Sequence, residues 1–111
     1  MNISELNEDR IGVILTWMAN NERKYCEAKA ALETARVRAK RIRAAVFDAA
    51  DGTAGERNAE VELNEDVQAA EQAVIDAQRE FNVIDMAYDR GRLEIDVWRT
   101  LSASRRAGMN L

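Results

Sequence analysis

The sequence contains no histidine and no proline, a single cysteine, and few glycines or aromatic residues. Without histidine the chain lacks the commonest general base and the commonest metal ligand. One cysteine, Cys26, excludes an intramolecular disulfide framework and a thiolate zinc site, and it fits a reducing compartment. We therefore predict a protein that is not an enzyme, holds no metal or cofactor, and resides in the cytoplasm.

Long apolar runs are absent as well. The first residues, MNISELNEDR, are polar and acidic, whereas a signal peptide needs a basic start followed by an apolar run. No stretch approaches the roughly 20 apolar residues that a membrane span requires. The sequence thus predicts a soluble protein with no membrane partner.

The residues that are abundant are Ala, Glu, Arg and the aliphatic residues, which is the composition of long helices. A chain of 111 residues makes one small domain near the lower limit for a self-sufficient core. We therefore predict an all-α fold in which residues 1–111 form a single helical domain.

A first helix of the hairpin is predicted at about residues 21–50, because apolar residues alternate there in spacings of three and four. Gly52 stands where a helix end needs left-handed backbone, so residues 51–55 are predicted to turn. Thr53 and Glu56 then have the spacing of a capping box. The apolar seam consists of Tyr25, Ala28, Leu32, Ala35, Ala39, Ile42, Val46 and Ala49.

A second, longer seam predicts an acidic helix at about residues 56–104. Gly91 weakens this seam and marks either a bend or a close approach of another segment. Asn64, followed by Glu65 and Asp66, offers an alternative helix start. The seam consists of Leu63, Val67, Ala70, Val74, Ala77, Phe81, Ile84, Tyr88, Gly91, Ile95 and Trp98.

These two helices predict a long antiparallel, coiled-coil-like hairpin, preceded by a short helix at about residues 4–19 that carries Trp17. Beyond Ile84 the apolar surface is too wide for one partner helix, which favours a homo-oligomer formed through the C-terminal helix. The alternative is a monomeric three-helix bundle in which these residues are core. The predicted oligomer interface comprises Phe81, Ile84, Tyr88, Leu93, Ile95, Val97, Trp98 and Leu101.

Charge is divided between the two helices. Residues 21–50 contain eight basic and four acidic side chains, whereas residues 56–98 contain four basic and twelve acidic ones. Opposite charge suits an antiparallel hairpin held partly by pairs across the two helices. This arrangement explains part of the basic cluster.

The basic cluster has a second interpretation, because only one flank of a helix can face its acidic partner. Arginine chelates phosphate oxygens and stacks on bases, so the remaining side chains suit nucleic acid. The spacing leaves two alternatives open: a nucleic-acid contact, or a solvated and salt-bridged face. The candidate nucleic-acid-binding residues are Arg36, Arg38, Lys40, Arg41 and Arg43.

The strings KRIRAAVFDAADG, ERNAEVELNEDVQAAEQ and IDVWRTLSASRR resemble small helical phage proteins of the UvsY-like recombination mediator type. The resemblance lies in an order of features: a basic helix, a Gly-containing turn, an acidic segment, and a last helix with a basic tail. It covers about two thirds of the chain, from Lys40 to Arg106.

The resemblance implies a non-enzymatic accessory of DNA recombination and replication, located in the host-cell cytoplasm. Such mediators bind single-stranded DNA as ring-shaped oligomers and help a recombinase load onto strands coated by single-strand-binding protein. Their DNA-contacting residues match Lys40, Arg41 and Arg43, with Arg36 and Arg38 as neighbours. The alternative function is a helical-hairpin structural or adaptor protein, of the assembly or chaperone-like kind, with no DNA binding.

Overall fold

The computed structural model describes residues 6–109, apart from the side chain of Met109. The chain forms three helices there: α1 (Glu8–Ala49), α2 (Ala54–Leu63) and α3 (Glu65–Met109). Helices account for 93% of the structure, and residues 6–109 contain no strand. The predicted all-α class is confirmed.

Helix α1 is one continuous helix of 42 residues, where the sequence predicts a short helix and a second one from about residue 21. Asn7 caps it, since the Asn7 side chain accepts a hydrogen bond from the Arg10 main-chain N–H at 2.9 Å. The expected start at residue 4 lies outside the described residues. No break occurs at Asn21, because its side-chain amide donates to the Trp17 carbonyl at 2.8 Å and so stays within the helix.

The turn after α1 lies where it was predicted, but it is shorter than residues 51–55, because α2 already begins at Ala54. The last turn of α1 closes with a hydrogen bond from the Ala50 N–H to the Val46 carbonyl at 3.0 Å. Gly52 has φ of 106°, a left-handed conformation that favours glycine. Thr53 is the N-cap of α2 and accepts a hydrogen bond from the Glu56 N–H at 3.2 Å, which confirms the predicted cap.

Asn64 divides the predicted acidic helix into α2 and α3. Its backbone is extended, with φ of −72° and ψ of 128°, which ends α2. Its side chain accepts hydrogen bonds from the main-chain N–H groups of Asp66 at 2.9 Å and Val67 at 3.1 Å, which starts α3. The alternative start at Asn64 is therefore the correct one, and α3 continues past the predicted end at 104.

The chain divides into two compact units. Unit 1 comprises Met1–Tyr25 and Val83–Leu111, and unit 2 comprises Cys26–Asn82. Helices α1 and α3 contribute residues to both. Within each unit their segments run antiparallel, as predicted, because residues later in α1 contact residues earlier in α3.

The core of unit 1 lies where α1 meets α3. Tyr88, 7% exposed, packs between Trp17 and Tyr25, with ring centroids 5.2 and 4.9 Å away, and its hydroxyl donates to the Met18 carbonyl. Gly91 is buried at this contact, and a Cβ there would lie 3.1 Å from Cγ2 of Ile14. Gly91 therefore marks a close approach of another segment, α1, which was one of its two predicted interpretations.

The core of unit 2 is thin. Its buried apolar residues are few and half of them are alanine, and Val67, 1% exposed, is the most completely buried residue of unit 2. Arg57 places its guanidinium 5.6 Å from the centre of the Phe47 ring, which attaches α2 to the end of α1. These buried residues are Leu32, Ala39, Ala50, Val61, Val67 and Ala70. In residues 6–109, no helix is both long and apolar enough to cross a membrane.

Candidate nucleic-acid interface

All five predicted nucleic-acid-binding residues lie on the part of α1 that belongs to unit 2. Four of them are exposed and Arg43 is half-buried. In a helix, residues three or four apart share a face, so five residues within eight positions cannot all point the same way. Their contacts separate them into two groups.

Arg43 belongs to the first group, which is engaged within the fold. One of its guanidinium nitrogens donates to Glu71 of α3 and another donates to Glu62 of α2. The hydrogen bond that Arg43 donates to Glu62, followed by the one that it donates to Glu71, raises the pKa of Arg43 above its ordinary value. Arg43 therefore joins the three helices of unit 2 to one another, and its guanidinium is not free for a ligand.

Arg36 also points toward α3. It donates a hydrogen bond from Nη2 to Oε1 of Gln78 at 2.7 Å. Arg36 and Arg43 are seven residues apart and so lie on one flank of α1, the flank that faces α3. Of the two interpretations of the basic cluster, the salt-bridged face therefore holds for Arg43. Arg36 faces α3 as well, but its partner there, Gln78, is uncharged.

Arg38, Lys40 and Arg41 form the second group. They are exposed, and in the described residues none of the three has a side-chain hydrogen bond or an ion pair. Arg38 and Arg41 border a shallow depression on the outer surface of α1, beside Val37, which is 49% exposed. These three cations are available to an anionic partner.

The acidic side chains of unit 2 are concentrated on α2 and α3. Residues 54–82 contain eight acids against two arginines, whereas residues 26–49 contain six basic side chains against three acids. Only Glu62 and Glu71 of those eight form ion pairs with α1 in the described structure. Within unit 2 the electrostatic potential is therefore more negative around α2 and α3 than around the outer surface of α1.

The predicted oligomer interface is divided by the fold. Ile84 and Tyr88 are 6% and 7% exposed, so they are core residues of unit 1 and offer no free surface. Leu93 is 54% exposed, whereas the other five predicted residues are half-buried. Those five are Phe81, Ile95, Val97, Trp98 and Leu101.

Two residues outside the predicted set complete an exposed stripe on α3. Val83 and Met86 are 74% and 70% exposed, and with Leu93 they follow spacings of three and seven, which places them on one face. We call Val83, Met86 and Leu93 the α3 stripe. Its signal in the sequence is the second apolar series that flanks the main seam after Ile84.

Unit 1 contains a pocket of about 240 Å³ beside Trp17 and Gly91. Arg10 and Glu94 lie at its edge, and their side chains form an ion pair with Nη2 and Oε2 3.3 Å apart. Glu94 is only 7% exposed, so Arg10 compensates the charge of this buried carboxylate. Trp17 packs on Tyr88, although it is 38% exposed.

In residues 6–109 no three Cys, Asp or Glu side chains are grouped so that they would hold a metal ion. Comparison with protein-family models, curated proteins and solved structures finds no match for this chain.

Proposed function

We propose that this chain is a non-enzymatic accessory protein of DNA recombination that binds single-stranded DNA as a homo-oligomer and assists recombinase loading. The observation that carries the proposal is that neither Lys40 nor Arg41 has a partner in the described structure. The recombination role and its partners, a recombinase and a single-strand-binding protein, come from the resemblance to UvsY-like mediators.

The chemistry of the outer surface of α1 supports phosphate binding. Lysine contributes a point charge, and arginine contributes a planar fork that binds two phosphate oxygens at once. Few rings stand near these cations, so contacts with the sugar-phosphate backbone dominate and the binding has little sequence preference. A single subunit supplies only a few such contacts.

Self-association would repeat those contacts. In an oligomer, a strand that is bound by one subunit meets the next subunit at a high effective concentration, so that weak contacts add. The α3 stripe is one surface for this self-association, because three large apolar side chains are exposed on one face of one helix.

The experiment is a fluorescence-anisotropy titration of a labelled single-stranded oligonucleotide at two salt concentrations, with light scattering on the same samples. The double variant Lys40→Glu/Arg41→Glu is compared with Arg79→Glu, which removes an exposed and unpaired cation from α3 of the same unit. We expect the double variant to lose affinity at least about tenfold. The plot of log K for DNA binding against log salt concentration should become less steep. Its negative slope should shrink by about 1.4 for each bound subunit, because two phosphate contacts are lost.

The control should bind with little change, and the mass of both variants should equal that of the wild type. Equal binding by Lys40→Glu/Arg41→Glu and by wild type would contradict the proposed site. An oligomer that ignores the oligonucleotide even at low salt would contradict DNA binding altogether.

A second candidate function is a helical-hairpin structural or adaptor protein without DNA binding. The α3 stripe favours it, because exposed apolar stripes of this kind mark surfaces that bind other proteins. The same titration separates the two functions. Under the adaptor proposal, no salt concentration produces binding, and charge reversal at Lys40 and Arg41 has no effect.

A further inference from the structure

Unit 2 contains an open groove of about 540 Å³ between α1 and the first turns of α3. Arg38 and Asp66 both line it, and because α1 and α3 run antiparallel here, they lie toward its opposite ends and give them opposite charges. Its middle is apolar and made mostly of small side chains, which allow another helix to approach closely. The middle consists of Ile42, Ala45, Val46, Ala69, Ala70 and Ala73.

The groove lies on a different side of unit 2 from the polar contacts between its helices. Arg36 and Arg43, which contact Gln78 and Glu71, are seven residues apart on one face of α1. Arg38, Ile42 and Ala45 follow spacings of four and three on another face. On the Arg36 and Arg43 side, hydrogen bonds therefore join α1 to α3. On the Arg38 side, the groove between the two helices is open.

Neither charged end of the groove has a side-chain partner within the described residues, although Asp66 lies in the first turn of α3, where the helix dipole favours a carboxylate. In the described residues, neither the Arg38 guanidinium nor the Asp66 carboxylate has a hydrogen bond or ion pair. The Asp66 main-chain N–H is bound by Asn64, but its carboxylate makes no such contact. An occupant of this groove that satisfies both ends needs an acid at the Arg38 end and a base at the Asp66 end.

We propose that the groove is occupied by the same groove of a second copy of this chain, related by a twofold axis perpendicular to the helices. Rotation by 180° about such an axis exchanges the two ends. Arg38 of each copy then faces Asp66 of the other, and the two apolar middles meet. This self-complementarity is the property that an isologous contact requires.

Two further observations favour a second copy over a different protein. The core of unit 2 is thin and half alanine, so a second layer of helices supplies burial that the single chain lacks. A second copy also supplies both of the charges that the groove needs, because its own Asp66 and Arg38 are the required acid and base. The groove contact is separate from the α3 stripe and does not depend on DNA binding.

The contact assigns different roles to neighbouring cations. Arg38 pairs with the second copy, whereas Lys40 and Arg41 remain on the outer surface for phosphate. Reversing the charge of Arg38 should therefore lower the mass of the oligomer in solution. Reversing Lys40 and Arg41 should change DNA binding without a change of mass, so the two proposals can fail separately.

The first experiment compares two neighbouring alanines on the full-length chain by sedimentation equilibrium. Ala45 lines the groove and Ala44 does not, although both are exposed on α1. A glutamate at Ala45 places an unpaired charge in the apolar middle, so Ala45→Glu should lower the solution mass. Ala44→Glu should leave the mass unchanged, and circular dichroism should show equal helix content in both variants.

The second experiment tests the pairing itself. Arg38→Glu alone creates an acid facing an acid at both ends, and Asp66→Arg alone creates a base facing a base. Each variant should self-associate at least about tenfold more weakly than wild type, since like charges oppose each other across the contact. An equimolar mixture restores opposite charges at both ends, so the mixture should recover the wild-type mass.

Recovery on mixing requires a contact between two chains, because a pair within one chain is not repaired by adding another variant. A wild-type protein that is monomeric at micromolar concentration would overturn the proposal. Equal masses for Ala44→Glu and Ala45→Glu would also overturn it, as would failure of the mixture to associate more strongly than either variant alone.

Discussion

The hydroxyl of Tyr25 donates a hydrogen bond to Oδ1 of Asp85 at 3.0 Å, which links α1 to α3 within unit 1. The ring of Tyr25 also packs on Tyr88, with centroids 4.9 Å apart. The hydrogen bond to Asp85 is the largest cause that raises the pKa of Tyr25 above its ordinary 10.0, because it stabilises the protonated phenol.

The raised pKa predicts a dependence of stability on pH at the alkaline end. The folded protein holds the Tyr25 proton more tightly than the unfolded chain does. This contribution to stability is therefore fully present below pH 10.0 and is lost as the pH rises through the pKa of folded Tyr25. Asp85→Ala should lower that pKa toward its ordinary value and remove the contribution.

A titration followed by carbon NMR of the phenolic ring carbon separates Tyr25 from the other tyrosine, Tyr88. Asp96→Ala serves as the control, because Asp96 lies on the same helix and its carboxylate does not contact Tyr25. An unchanged Tyr25 titration in Asp85→Ala would show that this carboxylate does not set the pKa.

Leu32 is 3% exposed in the core of unit 2, and Val37, on the same helix, is 49% exposed. Leu32→Ala removes buried methyl groups and leaves a cavity, so we expect the free energy of unfolding to fall by about 2–5 kcal/mol. Val37→Ala should change it by less than about 0.5 kcal/mol. Urea unfolding followed by circular dichroism measures both, and equal losses would contradict the assignment of Leu32 to the core.

Two glycines within helices should respond oppositely to added side chains. A Cβ at Gly91 would lie 3.1 Å from Ile14 and 3.5 Å from Sδ of Met18, so Gly91→Val should destabilise the protein by about 1–3 kcal/mol through overpacking. A Cβ at Gly12 would meet no atom within 4 Å. Gly12→Ala should therefore stabilise the protein by about 1 kcal/mol, since alanine favours helix.

Thermal unfolding at fixed protein concentration measures both glycine variants. The concentration is held constant because self-association itself raises the apparent stability. A Gly91→Val protein as stable as wild type would mean that α1 and α3 do not approach closely at this residue.

Asn64 both ends α2 and starts α3, and its side chain accepts two main-chain hydrogen bonds. Asn64→Ala leaves those N–H groups unsatisfied and should cost about 1 kcal/mol of unfolding free energy. Asn58→Ala, within exposed α2, removes no cap and is the matched control. If both variants unfold at the same urea concentration as wild type, Asn64 does not act as the cap of α3.

Much of the fold could be predicted because its signals are local. The seam of apolar residues placed the end of α1 within one residue, and Gly52 and Thr53 marked the turn. The break predicted near Asn21 was wrong for a local reason as well, whereas the alternative helix start at Asn64 was correct. Asparagine favours both caps and side-chain bonds to its own helix, and the pattern did not show that Asn21 bonds backward within α1.

The sequence predicted which segments carry the candidate sites, but not which residues of those segments are free to bind a partner. The sequence pointed to the basic segment, yet Arg43 and Lys40 look alike there, although Arg43 bridges two acids and Lys40 has no partner within residues 6–109. The same holds for the apolar series on α3, where Ile84 is buried and Met86 is 70% exposed. Which flank faces a neighbouring helix depends on the rotation of each helix about its axis.

By itself the sequence determined the helical class, the turn at Gly52 and the separation of charge between α1 and α2–α3, because composition, period and capping act over a few residues. Only the tertiary structure decided which cations remain free and which flank of unit 2 stays open. Those features depend on the rotation and packing of α1 against α3, which bring together residues such as Arg43 and Glu71 from distant parts of the chain.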